Sequence, residues 1–247
     1  MENNNNIQEK IDSFLKEHKI TVKGGQVQSA EDMASLLNKI AQREIDNGNY
    51  EKGLYFATKA FEFDGKNLYS IFLQGLGFRL TGEFEKALKA FEFCNRKRPD
   101  LWNLANIGFC FANLKEEEKA LDIFNKIIDN VDEKVEKENA QFMASVYECI
   151  GNIYLSREDI LEFDESDKFK MNYKLAVKYF KKSLKLNRTN HIILNKLAAC
   201  YYHFDDEAKA LYCYEEAAKA APEEKNYAEA VRELKNAGII SEPIELE

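Results

Sequence analysis

Residues 68–99, LYSIFLQGLGFRLTGEFEKALKAFEFCNRKRP, decide the fold. Apolar positions recur there every three or four residues on both sides of Thr81-Gly82, the spacing of two amphipathic helices joined by a tight turn. In the first helix Ile71, Gly75 and Phe78 share a face; in the second Ala87, Phe91 and Cys94 do. A small residue between two large ones leaves a hole for a neighbouring helix's ridge, so Gly75 and Ala87 mark where the helices touch. Pro99 stops the second helix, because it has no amide donor and its ring clashes with the preceding turn. One such hairpin cannot bury its own apolar faces. The pattern requires neighbours.

They recur at a fixed interval. Small first-helix residues fall at Ala41, Gly75, Gly108, Gly151 and Ala198, separated by 34, 33, 43 and 47. Small second-helix residues fall at Gly53, Ala87, Ala120, Ala176 and Ala210, separated by 34, 33, 56 and 34. Bulky residues follow at Phe91, Phe124, Phe180 and Tyr214, with Ala57 in the first unit, and Pro99 and Pro222 close two units. The columns agree on their irregularities: nine residues are added between the third and fourth units and thirteen within the fourth.

This helix-turn-helix period, with Gly48-Asn49-Tyr50 and Gly82-Glu83-Phe84 at two turns, resembles the tetratricopeptide repeat. The third unit departs at its turn, Lys115-Glu116-Glu117, and lacks a closing proline; the first carries Gly53 and Ala57 where Ala and an aromatic are usual. The resemblance covers about residues 34–224. It implies an all-α fold, a right-handed superhelical α-solenoid of about five hairpins, with the first helix of each lining the concave side. The repeats are expected at about 34–67, 68–100, 101–134, 144–190 and 191–224, within a region 29–225.

Around them, residues 1–28 read as a polar leader, a short amphipathic helix on Ile7, Ile11, Phe14, Leu15 and His18, and a loop with Gly24-Gly25. Ser29 reads as an N-cap with Asp32 as its acidic partner. The Lys/Glu-rich stretch 129–140 is expected to lengthen its flanking helices, and an acidic insertion occupies about 157–169. Tyr227, Ala230, Val231 and Leu234 form a stripe on a C-terminal capping helix at 226–238, stopped by Lys235 and Gly238. An acidic tail, 239–247, is expected to be mobile.

The 247-residue chain carries a net charge of −8, which argues against a nucleic-acid or anionic-membrane surface. Lys174, Lys178, Lys181, Lys182 and Lys185 form one basic stripe, read as a solvated helix face. MENNNNIQEK has neither a basic n-region nor an apolar h-region, and no apolar run approaches a membrane span; the expected location is cytoplasmic. Cys94, Cys110, Cys149, Cys200 and Cys213 contain no C-x-x-C pair and read as reduced core thiols. His18, His191 and His203 build no H-x-x-x-H, and no phosphate loop occurs; Gly75-x-Gly77 reads as packing. Glu158, Asp159, Glu162, Asp164, Glu165 and Asp167 lack the glycine and spacing of a calcium loop. No enzyme, cofactor or metal is expected.

Function is expected in the groove. By helical angle, Tyr69, Phe72, Leu76 and Leu80 face away from the partner helix, as do Trp102, Ala105, Phe109 and Ala112. The same holds for Ser145, Glu148, Asn152 and Leu155, and for Ile192, Asn195, Ala199 and Tyr202. The wall is aromatic in the middle and polar towards the C-terminal end. Tyr69, Phe72, Leu76, Trp102 and Phe109 are the candidate anchors, with Asn106, Glu148, Asn152 and Asn195 fixing orientation and Tyr202 at the far end. The expected function is a non-enzymatic protein–protein interaction module, an adaptor or chaperone holding an apolar peptide segment of a partner. The alternative is a self-assembling scaffold, a homo-oligomer in which an N- or C-terminal segment docks into a neighbour's groove. Within one chain, the Ile7–Phe14 helix is a second candidate to cover the aromatics. The resemblance also raises the clamp that binds acidic C-terminal chaperone tails, but no frame supplies its lysines, arginine and asparagines, and such tails are not expected ligands.

Overall fold

A computed structural model describes residues 4–22, 27–157 and 167–246, with side chains for all but 4–6 and 167–170. These residues form α-helices and no strand. The chain divides into two compact units, Met1–Ile123 and Phe124–Glu247.

The first unit holds α1 (Asn4–Glu17), α2 (Ala30–Asp46), α3 (Tyr50–Phe63), α4 (Leu68–Leu80), α5 (Phe84–Lys97), α6 (Leu101–Asn113) and the start of α7 (Glu117–Asn130). Successive helices from α2 to α6 pack on one another. The starts of α2, α4 and α6 are set by side chains that satisfy amides the helix leaves unpaired. Ser29 Oγ accepts from Asp32 N at 3.0 Å, and Asp32 Oδ2 accepts from Gln28 N at 3.2 Å. Asn67 and Asp100 cap α4 and α6 in the same way.

The hole at Gly75 is filled by the aromatic of its own hairpin. A Cβ there would lie 2.8 Å from Phe91 Cε1 and 2.9 Å from Cζ, and Phe91 is fully buried. Gly77 serves a contact between hairpins, where a Cβ would meet Leu54 Cβ of α3 at 2.8 Å. The turns follow a column of their own. Gly48 and Gly82 have φ of +80° and +84°, and Lys115 and Asp205 hold the same left-handed geometry at +63° and +58°. Each lies seven residues after its unit's small first-helix residue, so the third turn keeps its shape without its glycine.

Helix α1 rests on the first hairpin. Phe14 meets Phe63 edge-on at 5.9 Å, and the His18 ring lies 5.6 Å from that of Tyr55, with Nε2 and the Tyr55 hydroxyl 2.7 Å apart. Ile11 is fully buried in the cluster formed by Met33, Leu37, Phe56 and Leu73. The helix begins at Asn4, inside the stretch expected to be a polar leader.

The second unit holds the rest of α7, α8 (Glu133–Glu138), α9 (Ala140–Ser156), α10 (Asp167–Leu186), α11 (His191–His203), α12 (Glu207–Ala220) and α13 (Lys225–Asn236). Here α9 pairs with α10, α11 with α12, and α13 lies on α12. A Cβ at Gly151 would sit 2.5 Å from Phe180 Cε1, repeating the relation of Gly75 to Phe91. Buried Ser183 donates to the Ala144 carbonyl at 2.9 Å.

Two expectations change here. The stretch 129–140 forms its own helix, α8, because Asp132 caps its start and Asn139, at φ −115°, ends it. Residues 239–246 are not a loose tail. After the left-handed Gly238, Glu242 N donates to the Ala208 carbonyl at 3.1 Å, and Ile244 and Leu246 pack on the core of α11 and α12. The carboxylates from Glu158 to Glu165, and the side chain of Asp167, lie outside the described residues.

Candidate functional site

In the first unit, Tyr69 and Trp102, on α4 and α6, each keep 48% of their surface open with α1 in place. Of the two candidates to cover these aromatics, α1 leaves both rings half open: its ring contacts are with α3, and its apolar side chains Ile7, Ile11 and Phe14 share a cluster with Phe72, Leu73 and Leu76. The Tyr69 ring stacks on Phe72 at 6.2 Å and 11°, and Phe72 meets Phe91 edge-on at 5.6 Å. Leu76 is half-buried beside them, against both neighbouring clusters. The Tyr69 hydroxyl donates to Gln42 Oε1 at 3.1 Å, and burial, followed by the Asp46 charge, pushes its pKa up, so it stays a donor. Phe109 is half-buried with the Arg79 guanidinium 5.5 Å from its ring centre, a cation–π contact. These five anchors therefore share one unit.

Asn106 does not join them at the surface. It is 4% exposed and donates to the Trp102 carbonyl at 2.8 Å, an i−4 bond that keeps its amide inside the helix packing. The reason is angular: one position after Ala105, it rotates towards the neighbouring helix.

In the second unit, Glu148 and Asn152 are one helical turn apart on α9, and both engage Lys196 of α11. The Lys196 Nζ donates to Asn152 Oδ1 at 2.7 Å and lies 3.4 Å from Glu148 Oε1, with Glu148 and Lys196 side chains 29% and 27% exposed. Asn195 is exposed, and Ile192 and Tyr202 keep 49% and 54% of their surface open at the two ends of α11. This face is a polar network bounded by two apolar ends.

The thiols follow burial. Cys94, Cys110, Cys200 and Cys213 are buried and Cys149 is half-buried; desolvation pushes Cys94 up to about 11 and Cys110 and Cys213 to about 12. Among the described residues no group of three or more His, Cys, Asp or Glu side chains is placed to hold a metal ion. None of their helices is long and apolar enough to cross a membrane.

A family model described as "Tetratricopeptide repeat" matches residues 104–133, across α6 and α7. The chain thus carries a tetratricopeptide repeat at these residues. It is 28% identical over 110 residues to Tetratricopeptide repeat protein 1 of Schizosaccharomyces pombe, a match covering 44% of this chain and 10% of that one. The chain thus matches about a tenth of the length of that relative. Among solved structures it is similar to residues 41 to the end of MamA from Desulfovibrio magneticus RS-1, with a TM-score of 0.55 and 16% identity over 79% of this chain and 99% of that one. It is similar to TTC0263, a thermophilic repeat protein of Thermus thermophilus, with a TM-score of 0.55 and 15% identity over 82% and 99%. It also resembles YrrB, described as a repeat protein with an unusual peptide-binding site, with a TM-score of 0.50 and 14% identity over 90% and 97%. At these identities the likeness is one of fold.

Within the repeat frame, the sequence pointed to Gln42 and Lys196 only as positions that fail to build a carboxylate clamp, not as partners of Tyr69 and of Glu148 and Asn152, and Arg79 was passed over. Lys196 carried a usable signal, since it is the cation nearest the outward row of α11. Its carboxylate partner lies 48 residues earlier, and only the stacking of α9 on α11 brings them together.

Proposed function

We propose that this repeat protein is a non-enzymatic protein–protein interaction module, an adaptor or chaperone, whose first unit takes an apolar segment of another protein against Tyr69, Phe72, Leu76, Trp102 and Phe109. The observation that carries this reading is the pair of aromatic rings on α4 and α6 that stay half exposed with the chain's own N-terminal helix in place. Large apolar surface held on rigid helices is where binding energy concentrates. A peptide-binding site in the similar fold of YrrB agrees with it. The buried thiols of Cys94, Cys110 and Cys213 suit a reducing, cytoplasmic setting.

An aromatic side chain buries about 150–250 Å² when covered completely. Covering the open half of either ring thus removes about 100 Å² from water, or roughly 2.5 kcal/mol. That corresponds to about 60-fold in affinity per ring. Peptides selected from a random library on the intact chain should carry apolar anchors, and Trp102→Ala or Tyr69→Ala should weaken them by about that factor with helicity unchanged. Selected peptides that bind both variants as tightly as the original chain would refute the assignment.

A further inference from the structure

The segment after α13 is seated in the second unit as a ligand would be. Beyond Gly238 the chain reverses across α12. Glu242 N donates to the Ala208 carbonyl at 3.1 Å, and Glu242 Oε1 lies 3.8 Å from Lys209 Nζ. Close to where the segment starts, Lys235 of α13 pairs with Glu215 of α12 at 2.7 Å. Ile244 and Leu246 turn onto the cluster that includes Ala210, Cys213 and Ala217, while Glu242, Pro243 and Glu245 face water. Alternation of apolar-in and acidic-out is what an extended chain with period two presents. A backbone hydrogen bond, a charge contact and two apolar side chains together are the elements of extended-peptide recognition.

We propose that this surface of α12 and its neighbours is a binding site for an extended peptide of the pattern Glu-Pro-Ile-acidic-Leu, and that residues 241–246 are its resident occupant. Lys209 reads the acidic residue ahead of the proline, and the apolar core reads the isoleucine and leucine. The covalent tether gives the resident segment a high effective concentration, so an outside peptide of the same pattern gains access only where the resident contacts are weakened. This site lies in a different unit from the surface proposed above, and its test is independent of that reading.

The 247-residue chain with Ile244→Asp and Leu246→Asp loosens the segment without altering α12. A fluorescent peptide of residues 239–247, blocked at both ends, should bind this variant at least about tenfold more tightly than the unsubstituted chain. Adding Lys209→Glu should weaken that binding severalfold. No binding to the loosened chain with helicity retained, or equal binding to both chains, would overturn the proposal. If the double variant loses helicity, Ile244→Ala with Leu246→Ala, which removes the same contacts without adding charge, takes its place in the same titration, and no gain in peptide binding over the unsubstituted chain would overturn the proposal.

Discussion

Replacing Gly75 by alanine probes the contact on which each hairpin is built. The added methyl would sit 2.8, 2.9 and 3.1 Å from three ring carbons of Phe91. Phe91 is fully buried and held edge-on by Phe72 at 5.6 Å, so the ring cannot swing away without displacing its neighbours. Overpacking of this kind costs about 1–3 kcal/mol. Alanine also improves on glycine inside a helix by about 0.8–1.0 kcal/mol. The net effect is a destabilisation of about 1 kcal/mol, where helix propensity alone would give a gain of the same size. Phe91→Leu alone leaves a cavity and costs roughly 1–3 kcal/mol, less than truncation to alanine. In the double variant the methyl occupies space the ring has vacated, so its loss should fall short of the sum of the single losses by about 1 kcal/mol or more. Urea unfolding followed by far-ultraviolet circular dichroism measures the cycle. Amide exchange in α4 and α5 checks that the same segment is being read, because repeat arrays do not always unfold in one step. Strict additivity, or a stabilising Gly75→Ala, would refute the picture of a small residue cut to fit a ring.

The remaining predictions concern the turns and one buried acid. Lys115 holds a left-handed φ of +63° that costs an L-residue roughly 1–2 kcal/mol. Glycine gives back about 0.5–1 kcal/mol in chain entropy, so Lys115→Gly should stabilise the protein by about 0.5–1 kcal/mol in the same urea assay. Glu44 is 5% exposed, and the Asn49 amide at 3.0 Å, then Lys52 at 3.2 Å, hold its pKa below the ordinary glutamate value. Its contribution is therefore complete above the unfolded-state pKa of about 4.3 and is lost as pH falls through the lower folded value. The stability gap between the original chain and Glu44→Gln should be present at pH 7 and close in acid.

The repeat was legible because its signals are local. A small residue on one helix faces an aromatic on the next, and Gly75 with Phe91 and Gly151 with Phe180 meet alike although thirteen added residues lengthen the second spacing. Glycine at 48 and 82 announced left-handed turns, whereas Lys115 and Asp205 reach the same geometry with nothing in their side chains to declare it. Contacts between units of the pattern were harder to see. Gly77 against Leu54 depends on how one hairpin lies on the next, and the bond from Lys196 to Asn152 spans 44 residues. The amphipathic stripe of α1 was readable, but a stripe names no partner; Phe63 and Tyr55 became its partners through packing. The segment 239–246 looked mobile because it follows the helix stop at Gly238 and carries Glu242 and Glu245 in a short run with no helical stripe. Its two inward apolar side chains, Ile244 and Leu246, outweighed that composition once α12 offered a surface.

The polar groups near the two candidate surfaces decide what kind of recognition each supports. In the second unit Glu148, Asn152 and Lys196 already answer one another, so a ligand there must break or reuse an existing network. In the first unit Asn106 is committed to the Trp102 carbonyl and the Tyr69 hydroxyl to Gln42. What α4 and α6 then present to a partner is mainly ring faces and aliphatic surface. Apolar surface discriminates weakly: one methylene more or less is worth only about 1–3 kcal/mol. A site of this kind selects a class of segments by size and apolar area and tolerates variation in their sequence. The extended segment on α12 is held differently, with a backbone donor, a lysine and two apolar contacts at fixed spacing, which ties its selectivity to register. The two units therefore answer the same fold in opposite ways, one by area and one by pattern.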